Sequence, residues 1–270
     1  MSDHFHAVAE AFSRKATIYD AFGEDHPNLT RMRQKVYAHI EALLSSGSTI
    51  LELNSGTGFD AVTLAGKGYH VHATDIAPGM LAQIEDKVRR YHLEDQISVQ
   101  PCSFTELDQI TLGPFDGITS NFGGLNCIND LSLVTRQLPH LLKPGGVVVW
   151  VIMPPICVWE LIRIPQDFRM AIRRLKRRNV VSNVEGVKFL ANYFTPKEVK
   201  GAFGPEFRLL RVEGLSVLTP PADNKTFARR FPRLYRTLVK LDNFASHLHP
   251  FRAWGDFFIL SMRYQPTDRS

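Results

Sequence analysis

The hydrophobic pattern predicts two amphipathic helices and then an alternation of strands and helices. In residues 4–22 and 29–45, apolar side chains recur at helical spacing, and Pro27 separates the two segments. The strand-like runs that follow are Thr49–Leu53, His70–Thr74, Ile97–Pro101, Phe115–Ser120 and Gly146–Ile152. The helical stretches between them are Asp60–Lys67, Pro78–Tyr91 and Asp130–Leu142. This order indicates a doubly wound α/β fold, whose mostly parallel sheet binds ligands at the carboxyl ends of its strands.

The alternation ends after Ile152, because Pro154 and Pro155 stop the fifth strand. Residues 158–178 have helical spacing and many arginines, whereas residues 207–218 and 254–264 are strand-like. The pattern therefore predicts four segments along one chain. They are an N-terminal helical cap (residues 1–48), an α/β core (49–152), a basic helical lid (153–203) and the last strands (204–270) with a basic insert (219–252).

Composition places the chain among globular proteins, with 270 residues of which 44% are hydrophobic and 22% charged. No apolar run reaches the roughly 18 residues that span a bilayer, and the N-terminus does not resemble a secretory signal. The three cysteines (Cys102, Cys127 and Cys157) lack the spacing of a disulfide framework or of a CxxC metal site. These features favour a cytoplasmic protein.

Charge is divided unevenly along the chain. Residues 1–155 hold 11 Lys and Arg against 17 Asp and Glu, whereas residues 156–270 hold 21 against 10. A basic second part attracts anionic partners, such as an acidic substrate, the anionic inner surface of a membrane, or RNA. The alternative is an ordinary solvated basic surface.

A strand, a glycine turn and the start of a helix follow one another in residues 50–60. Gly56 and Gly58 allow positive φ and a close approach to a ligand, and the helix start offers free N–H groups. Asp75, at the end of the second strand, can accept both hydroxyls of a ribose. The same residues fit the dinucleotide fingerprint G-x-G-x-x-A, so a nicotinamide-dependent oxidoreductase is one alternative.

Two observations favour a ligand without phosphate. Glu52 lies inside the first strand, where a carboxylate repels a pyrophosphate but attracts an ammonium group. The turn Leu-Lys-Pro-Gly-Gly at residues 142–146 directly precedes the fifth strand. With these motifs, residues 8–152 resemble the class I S-adenosylmethionine-dependent methyltransferases: ILELNSGTG resembles the first motif of that family and ATDIAPGML the next.

The resemblance implies a seven-stranded Rossmann-like sheet, S-adenosylmethionine as cofactor, and methyl transfer as the activity. It places Asp75 at the ribose, Ile76 against the adenine, and Tyr19 near the cofactor carboxylate, although Tyr19 also fits a packing role. The cofactor-binding residues that it implies are Tyr19, Glu52, Asn54, Gly56, Gly58, Asp75, Ile76, Met80, Ser103, Phe104 and Asn121.

Two of these residues depart from the family pattern. Asn54 replaces the first glycine of the motif, although Asn tolerates left-handed backbone better than most residues. Ser103 stands where the family often has an Asp that binds adenine. These departures leave open a non-catalytic binding or regulatory protein that keeps the fold.

Methyl transfer from a sulfonium is an in-line displacement, so the protein mainly aligns the reacting atoms. The acceptor should lie over the end of the fourth strand, where Asn121 and Asn126 flank Gly123 and Gly124. An ordinary strand-to-helix loop is the alternative there. His247 and His249 are candidate bases in the C-terminal insert, with surface histidine as the alternative, and we expect no metal site.

The segment 153–203 is expected to line the acceptor site. Aromatic side chains there suit an apolar pocket with arginines at its mouth, and they are Trp159, Phe168, Phe189, Tyr193 and Phe194. This combination favours methylation of oxygen or carbon in a small or lipid-like, acidic acceptor. A basic amphipathic helix also fits peripheral contact with an anionic membrane, and nucleic acid is disfavoured because no RNA-binding module is recognised. The oligomeric state is not predicted.

Overall fold

A central seven-stranded sheet organises the computed structural model, which describes residues 3–23, 25–162, 165 and 167–266. The strands are β1 (Thr49–Leu53), β2 (His70–Asp75), β3 (Ile97–Pro101), β4 (Phe115–Ser120), β5 (Leu142–Ile152), β6 (Val180–Val184), β7 (Val187–Ala191), β8 (Phe207–Leu215) and β9 (Phe257–Tyr264). The order across the sheet is β3-β2-β1-β4-β5-β9-β8, and β9 runs antiparallel to both of its neighbours, β5 and β8. The predicted fold class is therefore confirmed.

Helices cover both faces of this sheet. They are α1 (Asp3–Gly23), α2 (Pro27–Glu41), α3 (Phe59–Gly66), α4 (Pro78–Tyr91), α5 (Ser132–Thr135), α6 (Val158–Ile162), α7 (Phe168–Ile172), α8 (Pro196–Gly201), α9 (Phe227–Arg230) and α10 (Pro232–Ala245). No helix in the described residues is long and apolar enough to cross a bilayer.

Strand alternation divides the core between the two faces of the sheet. Val149 and Val151 of β5 pack with α2, α3 and α4, whereas Trp150 and Ile152 pack on the opposite face with Phe203. Burying one such side chain contributes about 1.5–3 kcal/mol. The order of strands reverses between β1 and β4, and a crevice at that point is where folds of this type bind ligands.

Helix α1 and the hairpin of β6 and β7 lie above this crevice. Val8 and Ala11 of α1 pack with Phe189 of β7 and with Cys127. At the other end of the contact, Gly79 lets α4 approach α1 so closely that a Cβ there would lie 2.8 Å from the Ser13 carbonyl oxygen. We call α1 and this hairpin together the roof.

The hairpin is a difference from the predicted helical lid. Its two strands are rich in β-branched valine, and Glu185 and Gly186 join them with φ of 48° and 81°. Two successive residues with positive φ are typical of a type I′ turn, which matches the twist of paired strands. The Val-Glu-Gly-Val sequence at residues 184–187 is therefore the signal for strands here.

Prolines account for the other differences between the predicted and the observed helices. Pro139 interrupts the helix predicted for residues 130–142, leaving α5 and a single 3₁₀ turn at Leu138–His140. Residues 158–178 form α6, α7 and a 3₁₀ turn, with Pro165 between the two helices; residues 163, 164 and 166 of that prediction lie outside the described residues. Pro27 is the first residue of α2 instead of a separator, since a missing N–H is harmless there.

Candidate functional site

A cavity of about 280 Å³ lies between the carboxyl ends of β1, β2 and β4 and the roof. Eight of the eleven residues predicted to bind the cofactor line it. They are Tyr19, Asn54, Gly56, Asp75, Ile76, Met80, Phe104 and Asn121. The topology thus brings together residues from five separate parts of the chain.

The loop after β1 follows a path that glycine and asparagine permit. Asn54, Gly56 and Gly58 have φ of 49°, 57° and 75°, the left-handed region that most side chains avoid. The Asn54 side chain accepts a hydrogen bond from the Ser120 hydroxyl at 2.8 Å and lies where a Cβ at Gly124 would be. Asn54 therefore keeps the turn and also ties it to the end of β4.

Asp75 closes the loop from the side of β2. Its carboxylate accepts hydrogen bonds from the backbone N–H groups of Gly56 and Ala77, each at 2.9 Å. Burial raises the pKa of Asp75 from 3.8 to about 6. A carboxylate oxygen can accept more than one hydrogen bond, so the group can also accept the two hydroxyls of a ribose.

Glu52, Gly58 and Ser103 do not line the cavity. Glu52 is buried behind the loop; its Oε2 has no hydrogen-bond partner among the described residues, and burial raises its pKa well above 4.5. Gly58 begins α3, and a Cβ there would lie 3.0 Å from Ile84. The Ser103 hydroxyl is bonded to Thr105 at 2.8 Å. Contact of these three with a cofactor stays a prediction.

Sequence reasoning missed a charged network beside the loop. Asp60 accepts hydrogen bonds from Tyr37 and, at 3.2 Å, from the Asn121 amide, and it pairs with Arg33 at 3.4 Å. The buried Arg33 Nε has no hydrogen-bond partner among the described residues, and its guanidinium lies 3.8 Å from the Phe59 ring centre. The signal for Arg33 was its position next to Met32 and Val36, on the apolar face of α2.

A second network ties α1 to the same loop. Asp20 accepts a hydrogen bond from the Thr57 hydroxyl at 2.5 Å and pairs with Lys87, which also donates to the Thr57 carbonyl at 2.7 Å. Since Tyr19 precedes Asp20, this contact fixes the aromatic ring over the cavity.

The four predicted catalytic residues fall into different places. Asn121 lines the cavity, and its buried Oδ1 has no partner in the described part of the chain. Asn126 also lines it, but its Nδ2 donates to the Met153 and Asn192 carbonyls at 3.1 and 2.6 Å. His247 lies instead beside Glu213 at 3.7 Å, and neither His247 nor His249 lines the cavity.

The roof side of the cavity has a different character. Phe189, Tyr193 and Ser182 line it together with Arg173, whose guanidinium also donates to Glu160 at 3.0 Å. Of the other aromatic residues predicted there, Trp159 packs on Phe227, Phe194 lies in the core and Phe168 is exposed. The cavity thus joins a polar floor to a partly apolar wall with two cations, Arg173 and Lys15 of α1.

Burial weakens the acidic groups that line the cavity. It raises the pKa of Cys102 to about 11 and that of Cys127 to about 12, and it also raises the pKa values of Tyr19 and Tyr193. These four groups are therefore neutral near pH 7. Asp75 is then the lining carboxylate in the described residues, and it lies at the floor.

The charges around the floor match a cationic nucleoside better than a dinucleotide. Glu52, Asp60 and Asp75 surround the glycine loop, where a pyrophosphate would be repelled. The sulfonium and amino group of S-adenosylmethionine suit these carboxylates and the unpaired Asn121 Oδ1. Arg33 suits its carboxylate from a smaller neighbouring cavity, which shares Tyr19 and Phe122 with this one. No group of His, Cys, Asp and Glu in the described residues could hold a metal ion.

Fold and floor together fit a class I, S-adenosylmethionine-dependent methyltransferase domain. Residues 50–146 match the family model for a methyltransferase domain, and S-adenosylmethionine is the cofactor that such a domain uses.

Known proteins agree with this assignment. The chain is 32% identical to a demethylmenaquinone methyltransferase of Clavibacter sepedonicus over 54% of its length and 57% of that protein, so it spans little more than half of this relative. It is 28% identical to the Corynebacterium glutamicum enzyme of that name over 68% of its length and 76% of that protein. The CcbJ methyltransferase from Streptomyces caelestis has the same fold, with a TM-score of 0.61, 17% identity, and coverage of 93% of this chain and 96% of that one.

Proposed function

We propose that this protein transfers a methyl group to an oxygen or carbon of a small or lipid-like acceptor that is itself acidic. The observation that carries the proposal is the continuity of one cavity, from Asp75 and Asn121 at the floor to Arg173 and Tyr193 beneath the roof. A cofactor on the floor would face an acceptor held against the roof.

The acceptor should be acidic enough to ionise without a base from the protein. The thiols and phenols lining the cavity are neutral near pH 7, and the described lining contains no histidine. A nucleophile that needs a strong base is therefore poorly served, whereas a carboxylate, phenolate or enolate needs none. Arg173 would attract such an anion and hold it near the end of β4.

In this scheme the chain binds and orients the cofactor and the acceptor, and it excludes water from the cavity. S-adenosylmethionine supplies an activated methyl group when bound. Asp75 holds the ribose, Asn121 and Arg33 hold the amino acid end, and the roof closes over the acceptor. Alignment of nucleophile, methyl carbon and sulfur is the main contribution of a protein to such a displacement.

Relatives support a lipid-like acceptor. The two relatives from Clavibacter sepedonicus and Corynebacterium glutamicum are named demethylmenaquinone methyltransferases, after a quinone substrate. The mostly apolar residues of the β6–β7 hairpin suit a quinone ring, and Arg173 suits an ionised ring hydroxyl.

A panel of acceptors tests the proposal with methyl-labelled S-adenosylmethionine. We expect label in a naphthoquinol or a fatty carboxylate and none in a primary alkyl amine of equal chain length. Arg173→Gln should raise the KM of the acidic acceptor about tenfold or more, without changing the affinity for S-adenosylhomocysteine. Lys176→Gln, on the same 3₁₀ turn but outside the cavity, is the matched control.

A non-catalytic binding protein is the second candidate, because Asn126 is fully engaged with backbone groups and the described lining offers no base besides Asp75, which lies at the floor. It predicts tight binding of S-adenosylmethionine with no label in any acceptor or in any fraction of a cell extract. Label that appears mainly in the amine or in RNA would contradict the proposed acceptor class.

A further inference from the structure

Helix α10 has an apolar stripe that no other part of the described chain covers. The stripe follows positions i, i+7, i+10 and i+14, which share one side of a helix and its continuation. Its large apolar residues are Leu234 (50% exposed), Leu241 (51%), Phe244 (71%) and Leu248 (41%). Single exposed apolar residues are ordinary, but a line of four along one helix marks an interaction surface.

This helix is firmly attached through its opposite side. Buried Asp242 accepts hydrogen bonds from the backbone N–H of Leu218 at 2.7 Å and from Arg31, and Ala245 is buried. The Tyr235 hydroxyl donates to Asn28 at 3.1 Å. The stripe is therefore exposed on a helix whose other face is already packed.

Basic residues run along one border of the stripe. Arg233, Arg236 and Lys240 follow the spacing i, i+3 and i+7, which places them beside Phe244 and Leu241. All three are exposed, and none has an ion-pair partner in the part of the chain that the structure describes. Uncompensated cations next to apolar side chains are the pattern of a helix that lies in the interface of an anionic membrane.

We propose that α10 docks this protein on an anionic lipid bilayer, with Leu241 and Phe244 inserted among the acyl chains and Arg233, Arg236 and Lys240 on the headgroup phosphates. A second copy of the chain fits the stripe less well. A two-fold contact would bring both sets of cations together in a desolvated interface, where like charges repel. RNA would use the cations but leave Phe244 without a partner.

Vesicle co-sedimentation of the full-length protein tests this docking. We expect binding to vesicles of mixed phosphatidylcholine and phosphatidylglycerol, little binding to phosphatidylcholine alone, and release by salt. Leu241→Ser with Phe244→Ser, and separately Arg233→Glu with Lys240→Glu, should each lower the partition coefficient at least about tenfold. These positions are exposed, so thermal unfolding should stay unchanged.

Matched controls lie at the end of α4, far along the chain from the stripe. Tyr91→Ser removes an apolar side chain that is 54% exposed, and Arg89→Glu reverses an exposed charge; both should bind vesicles as the unaltered protein does. Equal binding to neutral and anionic vesicles would overturn the proposal. So would unaltered binding in both stripe variants, a change of oligomeric state in light scattering as their only effect, or tighter binding to an RNA oligonucleotide than to vesicles. The docking goes beyond the proposed methyl transfer, and the vesicle experiment needs no methyl acceptor.

Discussion

Among single residues, three carboxylates around the glycine loop after β1 determine the charge of the site. Asp75 is held by two backbone N–H groups, Asp60 by Tyr37 and Asn121, and Glu52 has one oxygen without a partner in the described structure. Buried charge of one sign is unfavourable by itself. A cationic nucleoside would relieve that repulsion, so cofactor binding and protonation should be linked.

Asp75→Asn should lower the affinity for S-adenosylhomocysteine about 10- to 100-fold, because an amide cannot accept both ribose hydroxyls and the Gly56 N–H. In the unaltered protein the affinity should rise with pH as Asp75 ionises around its pKa of about 6. Isothermal titration calorimetry on both proteins at two pH values on either side of 6 checks this. An affinity that is independent of pH, or an unaffected variant, would contradict the ribose role.

Asp75 also makes a prediction for the protein without ligand. Its pKa is raised from 3.8 to about 6, so the folded state holds a proton that the unfolded chain has lost within that window. The free energy of unfolding should therefore fall as pH rises from about 4 to 6. Urea titrations should show that Asp75→Asn flattens this part of the profile.

Glu52→Gln should stabilise the ligand-free protein above pH 7, because burial disfavours the charged form of a carboxyl that Gln cannot ionise. The gain should shrink toward pH 5, because the raised pKa lets the folded protein protonate Glu52 as the pH falls. Urea unfolding at the two pH values measures it, and exposed Glu41→Gln is the control. A destabilised variant at both pH values would mean that the second oxygen has a partner.

Element boundaries were predictable where one period of hydrophobicity held throughout. Strands β1, β3 and β4 have the predicted bounds because each is a short run that contains β-branched or aromatic residues and lies between turn residues. Helix content after β5 was overestimated. The two strands joined by Glu185 and Gly186 have only five residues each, which is too short for alternating hydrophobicity to stand out beside the arginine-rich helical pattern that precedes them. Tertiary contacts with α1 stabilise that hairpin.

The candidate site likewise has a part that was predictable from the sequence and a part that was not. The floor was predictable, because the ends of parallel strands meet at one edge and the motif residues are close in sequence. Arg33, Asp20 and Arg173 were not, since their positions depend on how α2, α1 and α7 pack against that edge. Asn126 was predicted to orient an acceptor, and its amide instead joins two pieces of backbone.

Asn126→Ala should therefore reduce stability before it changes chemistry. The buried amide bonds the Met153 and Asn192 backbone, and its loss leaves these groups unpaired, at about 2–3 kcal/mol in the free energy of unfolding. Chemical denaturation measures it, with exposed Asn129→Ala as the control. A variant of unchanged stability but much lower kcat would favour the orienting role.

At the scale of the whole molecule, a buried ionic cluster joins segments that are far apart in sequence. Arg174 bonds both Glu160 and Asp256 at 2.8 Å, and Asp256 also accepts a hydrogen bond from the Ala222 N–H. The lid, the insert and the last strand thus meet at one guanidinium. The carboxylate neighbours raise the Arg174 pKa.

Arg174→Met should lower the free energy of unfolding by about 3–5 kcal/mol, because it leaves Asp256 buried without a counter-charge and leaves Glu160 paired with Arg173 alone. Arg177→Met is the control: its pair with Glu198 is partly exposed and should contribute less than about 1 kcal/mol. Denaturant unfolding of both variants decides. Similar small losses in the two would show that water reaches Glu160 and Asp256.

The roof has an evolutionary consequence. Helix α1 and the β6–β7 hairpin lie outside residues 50–146, the stretch that matches the methyltransferase family model. Mutations in the roof can therefore reshape what enters the cavity while the sheet and its nucleoside floor stay as they are. Descendants of one ancestral floor could in this way diversify their chemistry by exchanging only the polypeptide above it.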